Sequence, residues 1–152
     1  MNKIIIDATL LVALLDEKDI WHKVAVSIRD AMIESGAQLI FLDCVANETL
    51  TVLGRRCKRK NEEDKFSDLI KKFKKIVKFE ELNWSYSYLK DDYEKILEKM
   101  ERYKGQVSFH DVLISLFAQD KNICYIASFD SDFDKVEGLK RIKDREDFGG
   151  EI

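Results

Sequence analysis

The sequence predicts an α/β fold in which a parallel sheet is flanked by helices. Short apolar runs rich in β-branched residues alternate with longer segments of helical periodicity, which is the pattern of such a sheet. The chain has 152 residues, 45% of them apolar, which is enough for one domain with its own core. Because it holds no Pro and only six Gly, we expect no linker and a single domain over 1–152, whose tail frays from about residue 146.

Five segments predict the strands: 3–6, 38–42, 75–82, 123–127 and 139–142. The first is a β-branched run bounded by Asp7 and is typical of a strand buried on both faces. The second and fourth are similar apolar runs. Segment 75–82 is predicted only from its alternation of apolar and polar residues, and the last segment is short.

Six segments with helical spacing of apolar residues separate the strands: 9–15, 20–35, 43–56, 62–75, 86–103 and 109–120. Gly36 and Gly105 are predicted to end two of these helices, and Asp43 and Ser108 are predicted N-caps. Helices that connect parallel strands make right-handed crossovers. The carboxyl ends of the strands then share one edge of the sheet, where functional residues gather.

Charge and cysteine content exclude several classes of protein. The 26 basic and 29 acidic residues give a net charge of −3, which excludes a globally basic nucleic-acid binder but not a local basic patch. Cys44, Cys57 and Cys124 form no CxxC pair, which argues against a disulfide framework and favours a reducing compartment. The apolar N-terminal stretch is too short for a membrane span and contains Asp7. We therefore expect a cytoplasmic protein without a membrane segment.

Four carboxylates are predicted to meet at the carboxyl edge of the sheet. Asp7 and Asp130 follow the first and fourth strands. Asp111 begins the helix before the fourth strand, and Glu48 lies about one turn into the helix after the second. Each alone is more often a turn or capping residue, but together they would repel one another unless a cation neutralised them. All-oxygen ligands indicate Mg²⁺ or Mn²⁺, and the matching chemistry is phosphodiester hydrolysis by a metal-activated water.

The densest basic run of the chain follows the Glu48 helix. It contains Arg55, Arg56 and Arg59, which are predicted to bind RNA phosphates near the acids. The alternative is a solvated helix end whose cations favour the helix dipole.

Four motifs in this sequence resemble those of PIN-domain nucleases, and together they span nearly the whole chain. The segments that carry the resemblance are 4–9 with 21–25, 45–50, 108–118 and 127–134. The resemblance implies a five-stranded parallel sheet of order 3-2-1-4-5. It also implies a metal-dependent endoribonuclease, most often the VapC-type toxin of a toxin–antitoxin pair.

The same resemblance assigns roles to individual residues. It makes Asp7, Glu48, Asp111 and Asp130 the catalytic acids that bind the metal. It adds Asp132 as an auxiliary acid of the metal site, and Thr9 and Ser128 as supporting hydroxyls.

The predicted partners are RNA and a small antitoxin protein, and a homodimer with a second copy of the chain is a further prediction. One alternative is a catalytically idle PIN scaffold that binds RNA or assembles a complex. A phosphatase is disfavoured because Asp7-Ala8-Thr9 lacks the second Asp of a DxDx[TV] motif.

Overall fold

Five strands and seven helices alternate in the computed structural model of the chain, which describes residues 2–148. The strands are Lys3–Ile6 (β1), Gln38–Leu42 (β2), Leu82–Asn83 (β3), Tyr125–Ala127 (β4) and Lys140–Ile142 (β5). The helices are Ala8–Leu15 (α1), His22–Glu34 (α2), Asp43–Arg59 (α3), Phe66–Ile76 (α4), Tyr86–Asp91 (α5), Tyr93–Arg102 (α6) and Phe109–Asp120 (α7). Short 3₁₀ helices cover Glu63–Lys65, Phe79–Glu81, Ser131–Lys135 and Arg145–Phe148.

The sheet has the order β3-β2-β1-β4-β5, and every pairing is parallel. This confirms the predicted fold class and strand order. In the register of the central strands, Ile5 lies opposite Ile40 on one side and Ile126 on the other. β1 is therefore central, and its three isoleucines are fully buried, as expected for a strand covered on both faces.

Two groups of helices cover the sheet. α1 packs against α2, α3 and α4, whereas α7 packs against α5 and α6. The chain crosses from β1 to β3 in one direction and returns to β4 and β5 in the other, so right-handed crossovers place the two groups on opposite faces. Within residues 2–148, no helix combines the length and the apolar character that a bilayer span requires.

Helix caps confirm one prediction and correct another. Ser108 caps α7, and its hydroxyl forms a capping box with Asp111, as the sequence predicted. The prediction that Asp43 caps α3 is wrong, because Leu42 occupies that position and Asp43 lies in the first turn. The carboxylate of Asp43 instead accepts hydrogen bonds from the main-chain N (2.8 Å) and the hydroxyl (2.6 Å) of Ser85.

The chain between α3 and α7 differs most from the prediction. The strand predicted over 75–82 is wrong, because α4 continues to Ile76 and only Leu82–Asn83 pairs with β2. The helix predicted over 86–103 is interrupted at Asp92, which leaves the helical conformation (φ −116°, ψ 18°). This break separates α5 from α6, whose Ile96 is fully buried.

The C-terminal segment continues past β5 as a short ordered turn. Within Arg145–Phe148, Asp147 accepts hydrogen bonds from the main-chain N of Lys143 (2.8 Å) and Asp144 (3.0 Å). A 3₁₀ helix thus includes residues 146–148, where the predicted fraying begins, and residues 149–152 lie outside the described part of the chain. The fraying itself stays a prediction.

Candidate active site

Asp7 lies at the centre of the carboxyl edge, directly after β1, and is only 5% exposed. Its Oδ2 accepts hydrogen bonds from the main-chain N (3.2 Å) and the hydroxyl (2.6 Å) of Thr9. The hydroxyl of Ser128 donates a third hydrogen bond to the same oxygen (2.7 Å). Among the described residues nothing donates to Oδ1, and no buried side-chain oxygen is left without a partner. Oδ1 therefore retains access to a ligand.

Two hydroxyl groups connect Asp7 to the segment after β4. The Thr9 hydroxyl accepts a hydrogen bond from the main-chain N of Phe129 (3.0 Å), and the Ser128 hydroxyl accepts one from the main-chain N of Asp130 (2.9 Å). Since each hydroxyl also donates to Asp7, the two side chains hold both segments in one arrangement. This placement is the one expected of supporting residues, and their role in activity stays a prediction.

Asp130 and Asp132 lie in one short turn but have different surroundings. Asp130 caps the 3₁₀ helix Ser131–Lys135, and its Oδ1 accepts a hydrogen bond from the main-chain N of Asp132 (2.8 Å). The carboxylate of Asp132 forms an ion pair with Lys135 (2.7 Å). Asp130 therefore keeps one free oxygen within the described structure, whereas the charge of Asp132 is already compensated.

Asp111 and Glu48 approach the same edge from two different helices. The Oδ2 of Asp111 accepts hydrogen bonds from the hydroxyl (2.7 Å) and the main-chain N (3.2 Å) of Ser108. Glu48 is exposed on α3. In residues 2–148 no lysine, arginine or histidine nitrogen lies within 4.0 Å of the carboxylates of Asp7, Glu48, Asp111 or Asp130, and Glu48 accepts no hydrogen bond. These four carboxylates thus carry negative charge that no ion pair of the described structure neutralises.

Electrostatic coupling links the four acids. Burial, with the charges of Asp7 and Asp130 added to it, raises the pKa of Asp111 to about 6 in spite of the hydrogen bonds from Ser108. Loss of hydration also raises the pKa of Glu48; Asp7 and Asp130 add to this rise, while His110 opposes it. Both carboxyl groups are therefore destabilised in their charged forms, as expected of acids that share one site without a cation.

The donor set fits a hard divalent cation in its chemistry, because every candidate ligand is a carboxylate oxygen. One oxygen on each of Asp7, Asp111 and Asp130 accepts no hydrogen bond from the described residues. However, nowhere between residues 2 and 148 do three Asp, Glu, His or Cys side chains come together closely enough to hold one ion. The acids thus surround a common rim without forming a closed ligand cage.

A pocket of about 280 Å³ opens beside this rim and is lined by Glu48, Asp130, Trp21, Phe129 and Arg56, among others. The rings of Trp21 and Phe129 stack with centroids 5.2 Å apart and an angle of 18° between their planes. The sequence did not predict this pair. Trp21 falls within one of the motif segments, but its partner belongs to a distant part of the chain, and only the fold joins them.

The three arginines predicted to bind RNA have unlike environments. Arg56 is half-buried and forms ion pairs with Asp16 (3.0 Å) and Asp19 (2.6 Å). Arg55 and Arg59 are exposed on the last turns of α3, and within the described chain neither forms an ion pair. The two acids that hold Arg56 were not predicted, because nothing in a loop sequence indicates such long-range partners.

Comparisons with known proteins agree with this architecture. Four solved chains match the structure; one is the toxin VapC20 of Mycobacterium tuberculosis, described as cleaving the sarcin–ricin loop. It is 20% identical, with a TM-score of 0.65 over 88% of this chain and 95% of that one, which is a similarity of fold. No curated protein sequence matches significantly. The model of the PIN domain family matches residues 4–139, which include β2–β4, all of β1 but its first residue, and all four acids. The chain therefore belongs to the PIN domain family.

Proposed function

We propose that this protein is a metal-dependent endoribonuclease that hydrolyses phosphodiester bonds of RNA. The observation that carries the proposal is the group of four coupled carboxylates at one edge of the sheet, none of which forms an ion pair in the described structure. Membership of the PIN domain family and the resemblance in fold to a toxin described as cleaving an RNA loop support it.

Each acid has a distinct part in the proposed reaction. Asp7, Asp111 and Asp130 each offer an unbonded carboxylate oxygen to Mg²⁺ or Mn²⁺. Such an ion supplies a Lewis acid and lowers the pKa of a water ligand. Glu48 has a raised pKa and no hydrogen-bond partner in the described structure, so it is the group best placed to orient an attacking water and accept its proton. Asp132 is the auxiliary acid, because its ion pair with Lys135 must loosen before it can contact an ion.

The hydroxyls of Thr9 and Ser128 act through Asp7. By donating to a single oxygen of its carboxylate, they fix the other oxygen toward the rim. Arg55 and Arg59 are exposed and free to meet phosphates along the strand that the acids would cut.

The finer form of the proposal is the toxin of a toxin–antitoxin pair, with a small antitoxin as its protein partner and the cytoplasm as its compartment. The free cysteines Cys44, Cys57 and Cys124 fit such a reducing environment. Expression of the chain should arrest growth of a bacterial host, whereas the Asp7→Asn variant should not. A homodimer stays a prediction.

The decisive experiment compares Asp7→Asn with wild type in single-turnover cleavage of single-stranded RNA. If Asp7 holds the ion, the rate should fall by orders of magnitude, while the metal-free melting temperature stays equal or rises because one repulsion is removed. The control is Asp64→Asn, an exposed acid remote from the rim, which should cleave like wild type.

A second readout does not depend on activity. Because an ion that binds only the folded state stabilises it, millimolar Mn²⁺ should raise the melting temperature of wild type but not of Asp7→Asn. Cleavage that persists in EDTA, or an Asp7→Asn variant as fast as wild type, would overturn the proposal and leave the non-catalytic RNA-binding scaffold as the better account.

A further inference from the structure

We propose that the stacked pair Trp21 and Phe129 forms a subsite that receives an unpaired base of the RNA, next to the acids that cut its backbone. This inference rests on the proposed function, because it names the part of the substrate that the site would hold. Its basis is the position, the exposure and the fixation of the two rings.

The position of the pair puts a stacked base within reach of the reacting phosphate. Both rings line the pocket that also contains Glu48 and Asp130. The main-chain N of Phe129 donates to the Thr9 hydroxyl, which in turn donates to Asp7. The aromatic pair and the central acid therefore belong to one hydrogen-bonded unit, and a base on the rings lies at the rim of the catalytic cluster.

Exposure distinguishes Trp21 from an ordinary core residue. The side chain is 47% exposed, although Phe129 covers one face of the indole with nearly parallel geometry. The accessible area therefore lies on the parts of Trp21 that Phe129 does not cover. Accessible indole surface is suitable for a nucleobase, because base–aromatic stacking needs only the flat π surface that all bases share.

A hydrogen-bond network holds the main chain at Trp21. Oδ1 of Asp19 accepts a hydrogen bond from the main-chain N of Trp21 (2.8 Å), while Oδ2 of the same carboxylate accepts one from Arg56 (2.6 Å). Arg56 is also bound by Asp16. Its guanidinium therefore meets two carboxylates, so we assign Arg56 to positioning Asp19 and Trp21 rather than to binding a phosphate.

The charge of the pocket favours a base over a phosphate. Besides the paired Arg56, the charged side chains that line it are Asp19, Glu48 and Asp130, so a phosphate would be repelled whereas an uncharged planar base would not. Bases within a duplex are already stacked on their neighbours and cannot present a free face. The ligand of this subsite is thus a base of single-stranded RNA or one turned out of a helix.

The two tryptophans of the chain, Trp21 and Trp84, make a direct test feasible because both are exposed. In the background Asp7→Asn, which prevents cleavage during the titration, Trp84→Phe leaves Trp21 as the sole indole. A six-nucleotide single-stranded RNA should then quench the tryptophan fluorescence. An abasic oligomer with the same phosphates should not, and neither should the RNA added to the matched variant Trp21→Phe, which retains Trp84.

Affinity provides a second measurement. Trp21→Ala should weaken RNA binding roughly tenfold and the abasic oligomer hardly at all, since the variant removes one stacking interaction. The subsite is wrong if the abasic oligomer quenches Trp21 as strongly as RNA does, or if RNA quenches only Trp84 in the Trp21→Phe protein. The first of these outcomes does not depend on whether Trp21→Ala folds, because the protein titrated there retains Trp21.

The test also separates the subsite from the proposed function. If wild type cleaves RNA but Trp21 does not respond to bases, the nuclease stands and the subsite is wrong. If Trp21 responds to bases but wild type never cleaves, the subsite stands and the protein is an RNA-binding scaffold.

Discussion

Asp111 shows how one residue can serve both its helix and the site. One of its oxygens completes the capping box of α7, while its other oxygen accepts no hydrogen bond from the described chain. Burial and the neighbouring acids hold its pKa at about 6, above the ordinary value of about 3.9 for an Asp side chain. At a pH between these two values, the folded chain therefore keeps a proton on Asp111 that the unfolded chain has released.

The raised pKa of Asp111 predicts the direction of a pH effect. Between about pH 4 and pH 6 the folded state holds more protons than the unfolded state, so in EDTA the free energy of unfolding should fall as the pH rises through this window. Asp111→Asn cannot titrate and should flatten the fall, although Glu48, also shifted upward, should leave part of it. Urea denaturation at a series of pH values measures this slope. Asp64→Asn should keep the wild-type slope, and an unchanged slope in Asp111→Asn would contradict the assignment.

At the scale of elements, a single polar contact joins the start of α3 to the start of α5. Ser85 is 1% exposed, and both its main-chain N and its hydroxyl donate to Asp43. β3 has only two residues, so the short ladder by itself fixes this edge weakly. Asp43 compensates for the brevity of the strand by bonding the chain directly after it.

Asp43→Ala should therefore destabilise the fold by about 1–3 kcal/mol, because it leaves two donors of a buried serine without an acceptor. Ser85→Ala, which removes only the hydroxyl, should cost about 1 kcal/mol. The control is Asp68→Ala, which breaks an exposed ion pair with Lys71 and should cost at most about 0.5 kcal/mol. Equal stabilities of Asp43→Ala and the control would show that water satisfies Ser85.

Elements were predictable from the sequence where local signals agreed. β1, β2 and α7 combine apolar runs or helical periodicity with a clear boundary, and the structure has them close to their predicted limits. Segment 75–82 offered only alternation, which a helix end followed by a turn reproduces. The break at Asp92 was not predicted, although Asp is a residue type that favours the start of a helix; the two halves, α5 and α6, both pack on α7.

The candidate site divides in the same way. The placement of the four acids at one edge could be predicted because each follows a strand or lies in the first turns of a helix, and parallel topology brings those positions together; their roles stay predictions. The stack of Trp21 on Phe129 and the binding of Arg56 by Asp16 and Asp19 depend on side chains from distant segments. No periodicity or spacing in the sequence indicates such pairs.

Across the whole molecule, RNA must approach a protein with a net charge of −3, so the placement of the unpaired cations matters more than their number. Arg55→Ala with Arg59→Ala should weaken binding and reduce the slope of log affinity against log salt by about 0.7 for each phosphate that is no longer neutralised. The matched control is Lys74→Ala with Lys75→Ala, which removes the same charge from the last turn of α4 and should leave the slope unchanged. Equal slopes for both double variants would contradict RNA binding by the arginines and favour the alternative of a solvated helix end.

The hydrogen bonds around Asp7 also determine when the candidate site can assemble during synthesis of the chain. The bond from Ser128 to Asp7 and the bond from the main-chain N of Phe129 to Thr9 join residues 121 and 120 positions apart, and Asp111 and Asp130 likewise come late in the sequence. Before β4 has been synthesised, β1 can pair only with β2. At that stage the Asp7 carboxylate accepts a hydrogen bond from the hydroxyl of Thr9 but not yet from that of Ser128. A nascent chain that lacks these later residues therefore cannot assemble the candidate site. If the protein is the proposed nuclease, its own messenger and ribosome are spared until the chain has been made as far as Asp130.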